Sequence, residues 1–225
     1  MDEKYIFEPQ EISTALPENP EDRKYQELCT QYALIRRIRG DGNCFYRAVA
    51  FGCLESFKHT EGMHMFRDTV LRSSTALTIS GISEDRFRSL FSTFVNVVER
   101  VEADPHGNTL LEMFNEQTTS DSVVQYLRLL TSAHLQNHSE RFQHFVEAPN
   151  LKAYCTQEVE NMAMECDHVE ILALSEALGV TIRIVSVEGG SGSLVFHTIP
   201  DQVEATLHLL YKNSHYDLLY PVSPR

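Results

Sequence analysis

The chain has 225 residues, 42% of them hydrophobic and 23% charged, with a formal net charge of −13. That length and composition suit one folded domain with a sizeable core. The acidic balance argues against a nucleic-acid binder, whose phosphate contacts need Lys/Arg patches, and no apolar run approaches the roughly 20 residues that span a bilayer.

Residues 1–20 are polar and proline-punctuated, which predicts a loose N-terminal arm ahead of a domain over residues 21–225. The opening MDEKYIFEPQEI is acidic and lacks the basic and apolar regions of a secretion signal. Five cysteines (Cys29, Cys44, Cys53, Cys155 and Cys166) follow no disulfide rhythm. They read as reduced thiols of a cytosolic protein, with the nucleus also open, and a monomer is expected.

A helix is expected over Glu21–Tyr32, then a short strand, ALIRRI, leading into RGDGNCFYRA. Asp41-Gly42 is a turn dipeptide, because glycine tolerates a left-handed backbone and Asp bonds back onto nearby amides. The following CFYRAVAFGCLESF has the apolar face of a helix. Cys44 therefore falls at a helix N-terminus, where unpaired N–H groups and the helix dipole favour negative charge. A thiol placed there loses its proton more easily and becomes a nucleophile. A buried structural cysteine after a turn fits this segment equally well.

From Phe45 to Leu178 the pattern is largely helical. SEDRFRSLFSTFVNVVERVE lacks a full capping box but has the spacing of a long amphipathic helix. TSDSVVQYLRLLTSAHLQNH is a second, with Thr119 or Ser120 as its cap. ECDHVEILALSEALG is a third, stopped by Gly179, and Cys166 is read as one of its core residues. Cys166, Asp167 and His168 cannot form a triad among themselves, since consecutive helix positions point about 100° apart.

The texture then changes. VTIRIVSVE, LVFHTI, TLHLLYK and YDLLYP read as short strands, with EGGSGS as a flexible turn and NSH as a hairpin connection. Helices followed by a strand cluster, with one strand contributed early, indicate an α+β fold. The expected form is a helical lobe packed on a small, mainly antiparallel sheet.

A catalytic thiol needs a base, and the base needs a group that fixes its tautomer. Residues two apart on a strand share a face, so His215 and Asp217 of NSHYDLLYP can lie side by side. Asp217 can accept from one ring nitrogen while the other faces Cys44. His134 and His138 have zinc-like spacing but no intervening Glu and no third ligand, so no metal is expected. GGSGS lacks the Lys-Ser/Thr ending of a phosphate loop, and the absence of C-x-x-C pairs counts against a zinc finger or thioredoxin-like site.

GDGNCFYRA, NEQTTSD, YLRLLTSA, MECDH and LLYKNSHYDLLYP resemble the otubains, the ovarian-tumour (OTU) class of cysteine deubiquitinases, from about Lys24 to Tyr220. The resemblance implies a papain-like OTU fold, hydrolysis of isopeptide bonds in polyubiquitin, and no metal or organic cofactor. It makes Cys44 the nucleophile, His215 the general base and acid, and Asp217 the orienting acid. Asp41, Gly42 and Asn43 match the loop whose amides, with the Cys44 N–H, hold the tetrahedral oxyanion, and through that loop Asp41 joins the catalytic set. Ubiquitin and polyubiquitin are the implied partners, with ubiquitin-conjugating enzymes as further ones.

Some otubains carry a longer arm that blocks a charged conjugating enzyme without catalysis. Only 43 residues precede Cys44 here, and the arm proper is about half that, so arm-mediated inhibition is not expected. Two alternatives compete: a non-catalytic module binding ubiquitin or conjugating enzymes, and a hydrolase of another ubiquitin-like modifier or of general peptides. The intact Cys44, His215 and Asp217 set disfavours the binding module.

Overall fold

A computed structural model describes residues 3–16, 21–147, 149–189, 192–201 and 204–223. The N-terminal part forms β1 (Gln10–Glu11), α1 (Ile12–Ala15), α2 (Arg23–Gln31) and β2 (Tyr32–Arg36). The helical lobe follows as α3 (Cys44–Phe57), α4 (Gly62–Ile79), α5 (Glu84–Ala103), α6 (Thr109–Asn115) and α7 (Gln117–Asn137). It is completed by the one-turn helices α8 (Ser139–Phe142) and α9 (Leu151–Tyr154), and by α10 (His168–Leu178). Strands β3 (Ile182–Ser186), β4 (Val195–Ile199), β5 (Leu207–Lys212) and β6 (His215–Pro221) close the fold.

Local chemistry explains most of these boundaries. Asp167 and Glu170 form a reciprocal capping box at the start of α10, and Gly179 ends it in the left-handed region at φ 66°. The cap of α7 is Glu116, whose carboxylate accepts from the Thr118 and Thr119 N–H groups, so the expected caps Thr119 and Ser120 lie inside the helix. Nor is α7 one-faced. Val123, Val124, Tyr126, Leu127, Arg128, Leu129 and Leu130 are all buried, because α7 is the axle on which α3, α4, α5, α6 and α10 pack.

The strands run in the order β1-β2-β6-β5-β3-β4. Every neighbouring pair is antiparallel except β3 and β5. That parallel pair arises because the chain passes through β4 on one side of β3 and returns on the other. Alternation gives the sheet two apolar faces. Ile184, Leu209 and Leu218 face the helical lobe, whereas Val185, Leu210 and Leu219 pack against Ile12, Ala15, Leu28 and Ile35.

The second face corrects the expectation of a loose arm. Over residues 3–16 the segment is part of the core: Ile6 is 0% and Ile12 2% exposed. Ile12 and Ala15 cover the outer face while Ile6 packs into the core of the helical lobe, and burying one large aliphatic side chain is worth about 1.5–3 kcal/mol. Asn115 also fastens the segment, accepting from Tyr5 and Ile6 N–H at 2.8 and 3.0 Å and donating to the Ile6 carbonyl at 2.9 Å. Residues 1–2 and 17–20 of the expected arm lie outside the described residues, as do residues 190–191 of the EGGSGS turn. No helix among the described residues is long and apolar enough to cross a membrane.

Candidate active site

Three parts of the chain meet in a cleft of about 240 Å³, lined by Gly42, Cys44, Glu165, Cys166, His215 and Tyr216 among others. Cys44 is the first residue of α3 and is 7% exposed. Its N-cap, Asn43, does not spend its side chain on the helix. The amide oxygen of Asn43 accepts instead from the Ala163 N–H at 2.8 Å and from Arg128 Nη2 at 2.9 Å. The helix start thus keeps donors free for negative charge at the sulfur or next to it.

His215 arrives from β6. A two-residue turn, Asn213-Ser214 with φ 52° and 58°, joins the paired residues Lys212 and His215. Positive φ at both positions is what a tight hairpin requires, and it places His215 at the first position of the strand. His215 Nε2 lies 2.9 Å from Asp217 Oδ1, as the two-residue spacing anticipates. The ring also stands beside the Cys44 thiol, which lines the same cleft. With Nε2 held by Asp217, Nδ1 is the nitrogen left for sulfur. Asp217 is itself anchored, because the same oxygen accepts from the Ile38 N–H at 2.8 Å.

These contacts set the charge state. The hydrogen bond to Asp217 first, and the neighbouring Cys44 sulfur second, push the His215 pKa from 6.5 to about 10, against the opposing effect of burial. The protonated ring then stands beside the Cys44 sulfur as a positive charge and a proton donor.

The loop before Cys44 is more tightly tied than the sequence implies. Asp41 Oδ1 accepts from the Asn43 N–H at 2.9 Å, and Oδ2 accepts from Arg47 Nη2 at 3.0 Å. Arg47 is fully buried on α3 and also donates to Asp121 Oδ1 at 3.0 Å and to Ser120. The Asp41 N–H donates to the Arg39 carbonyl at 3.1 Å. Of the loop amides expected to face an oxyanion, Asp41 and Asn43 are therefore already engaged. The N–H groups of Gly42 and Cys44 have no acceptor among the described residues, and both residues line the cleft. Asp41 holds the loop; it does not line the cleft.

Gly42 has φ +81°, and a Cβ there would sit 2.3 Å from the Ala163 carbonyl oxygen. Both facts demand glycine. The segment that approaches so closely, residues 159–166, forms the opposite wall. Cys166 stands there, ahead of α10, and this corrects its assignment as a helix core residue: α10 begins at His168, beyond the Asp167 cap. Burial, then Glu170 and Cys44, hold the Cys166 thiol well above its usual range. It stays a neutral thiol beside the reacting one. Cys53 is 0% exposed and raised by burial alone, as a packing residue should be. His134 is bound to Glu176 at 2.8 Å and its ring lies against His138.

Sequence reasoning missed two arginines, Arg47 and Arg128, both 0% exposed. Their signal was present as a single Arg inside an apolar helix, in FYRAVAFG and YLRLLTS. Arginine is almost never fully buried without a partner, so such a position implies one.

A sequence model of the family Peptidase C65 Otubain matches residues 9–221. The human protein Ubiquitin thioesterase OTUB2 is 42% identical over 221 residues, covering 96% of this chain and 94% of the relative. Human Ubiquitin thioesterase OTUB1 is 39% identical over 223 residues, covering 96% of this chain and 82% of the relative. Among solved structures, the complex of h/ceOTUB1, ubiquitin aldehyde and UBC13~Ub superposes with a TM-score of 0.90 at 27% identity, covering 98% of this chain and 92% of that one. A ceOTUB1 complex with the same two partners also has a TM-score of 0.90, covering 98% and 95%. A match of this extent spans the glycine loop, the helical lobe and the terminal hairpin together, and with it the chain belongs to the otubain family of cysteine peptidases.

Proposed function

We propose that this otubain is a deubiquitinating thiol peptidase that hydrolyses isopeptide bonds in polyubiquitin through Cys44, His215 and Asp217. The observation that carries the assignment is His215, held by Asp217 through Nε2, with its ring beside the Cys44 thiol in one cleft. The Cys44 thiolate attacks the carbonyl carbon at the ubiquitin C-terminus. The Gly42 and Cys44 N–H groups offer donors to the oxygen on which negative charge develops. His215 passes its proton to the departing lysine amine, leaving a thioester on Cys44. Water, deprotonated by His215, then releases ubiquitin.

OTUB1 has been solved with ubiquitin aldehyde and with UBC13~Ub or UBCH5B~Ub. Ubiquitin and ubiquitin-conjugating enzymes are the partners proposed for this chain on that similarity. The catalytic unit is proposed as one domain that takes in the N-terminal segment, because Tyr5, Ile6 and Ile12 are buried in it. The free state of all five cysteines suits a reducing compartment, the cytosol or the nucleus.

The test is labelling by electrophilic ubiquitin and ubiquitin-like probes, followed by mapping of the modified residue. Modification of Cys44 by the ubiquitin probe is expected. No modification, or modification only by another modifier's probe, overturns the assignment. A panel of di-ubiquitins then gives the linkage preference.

A further inference from the structure

Arg128 carries a buried charge that the chemistry described so far does not use. It lies at the centre of α7 with 0% exposure, and a guanidinium so placed is usually matched by a carboxylate. Its hydrogen-bond partners among the described residues are all uncharged. It donates to the carbonyls of Gly42 at 3.0 Å, Val159 at 3.1 Å and Met164 at 2.9 Å, and to Asn43 Oδ1 at 2.9 Å. The Tyr46 ring covers it, with Cζ 4.4 Å from the centroid. Burial lowers its pKa, yet arginine remains charged in proteins.

The geometry at Gly42 gives this charge a purpose. The peptide unit between Gly42 and Asn43 is gripped at both ends: Arg128 Nη2 holds its carbonyl, and Asp41 Oδ1 holds its N–H at 2.9 Å. Glycine at position 42 would otherwise leave that unit free to rotate. As held, the carbonyl points into the buried Arg128 pocket. C=O and N–H point opposite ways in a trans peptide, so rotation would break both bonds, turn the carbonyl towards the Asp41 carboxylate and release the turn that precedes Cys44.

We propose that Arg128 is a positioning residue for the oxyanion site. By gripping the Gly42 carbonyl it fixes the turn that leaves the Gly42 and Cys44 N–H groups at the cleft. Through Asn43 and the Met164 carbonyl it also locks the wall bearing Glu165 and Cys166 against that turn. The role rests on Cys44 being the nucleophile.

Ubiquitin aldehyde separates this role from a structural one. The Cys44 sulfur adds to the aldehyde carbon, and the former carbonyl oxygen, with its proton or negative charge, then sits in the oxyanion position. Alkylation by iodoacetamide needs the reactive sulfur but no such site. Two full-length variants are compared: Arg128→Lys keeps the charge without the planar fork, and Arg128→Met removes the charge at similar volume and with it the desolvation cost.

Both variants should bind ubiquitin aldehyde on the order of 100-fold more weakly and lose kcat on a fluorogenic ubiquitin amide to a similar degree. KM, ubiquitin binding measured in the Cys44→Ala background and the Cys44 alkylation rate should stay near wild type. Aldehyde affinity and kcat close to wild type in either folded variant overturn the role. So does a parallel loss of alkylation and ubiquitin binding, or failure of both variants to fold, since each marks Arg128 as a support of the fold alone. If wild-type protein forms no aldehyde adduct at Cys44, the assignment of the nucleophile fails first, and this role with it.

Discussion

Asp217 makes two hydrogen bonds with one oxygen, and substitutions there can tell them apart. Oδ1 accepts from His215 Nε2 at 2.9 Å and from the Ile38 N–H at 2.8 Å. Asp217→Asn can retain both, because its amide oxygen accepts as the carboxylate did, so substantial activity should remain, as in Cys-His-Asn enzymes. Asp217→Ala loses both. Ile38 is 3% exposed, and stranding its N–H should cost about 1–3 kcal/mol, or roughly 2–12 °C in Tm for a chain of this size.

Activity of the alanine variant should fall about 10- to 100-fold, less than the loss in His215→Ala, where the acid–base group itself is gone and ~100- to 10,000-fold is expected. The pH profile carries the sharper signature. Asp217 is the largest cause of the rise in His215 from 6.5 to about 10. Removing it lowers that pKa, so the alkaline limb of kcat/KM should move down toward neutrality in both Asp217 variants. Cleavage of a di-ubiquitin from roughly pH 6 to pH 11, a range that passes the alkaline limb, with Tm recorded in parallel, is the assay. Full activity of Asp217→Ala with an unmoved alkaline limb would refute the reasoning and leave a Cys44–His215 dyad.

Three further outcomes follow from other contacts. Cys44→Ala should abolish hydrolysis while ubiquitin binding stays measurable, whereas Cys53→Ala should keep turnover and lose about 0.5–3 kcal/mol of stability in a denaturant titration. Robust cleavage by the first, or total loss of turnover in a folded second, would show that the wrong thiol has been chosen. Gly42→Val should lose turnover far more than ubiquitin affinity, because a Cβ would meet the Ala163 carbonyl at 2.3 Å and φ +81° resists a β-branched residue; normal kcat would exclude the loop from oxyanion binding. His208, held near a pKa of about 4 by burial and then by Arg183, is below its unfolded value of 6.5, so the unfolded chain takes up the proton first. Its contribution to stability is full above pH 6.5 and is lost as pH falls toward 4, so Tm of His208→Gln should decline less over that interval than wild type; an identical slope sinks the idea.

The single Cys44–His215–Asp217 constellation was legible because its parts are local. Cys44 opens a helix after a glycine turn, and His215 and Asp217 are two apart on one strand after a two-residue turn. Backbone rules decide such things over a few residues: glycine permits φ +81° at position 42, alternation fixes the face, and Gly179 stops α10. Family motifs along the chain then implied which thiol and which imidazole meet.

Tertiary structure alone decided the rest, since long-range packing settles it. Arg128 reaches the Gly42–Asn43 unit across 86 and 85 residues of sequence, and Arg47 reaches Asp121 across 74. No spacing rule reports a bond of that separation; the sequence shows only an arginine where an apolar residue is expected. Residues 3–16 read as a loose arm on composition, but the outer sheet face of Val185, Leu210 and Leu219 needs cover, and Ile12 and Ala15 provide it. The parallel pairing of β3 with β5, and the place of Cys166 in the cleft wall ahead of α10, depend likewise on which elements pack together. Local backbone preference wrote the reacting groups into the sequence; burial, acting across the whole chain, chose the residues that hold them in place.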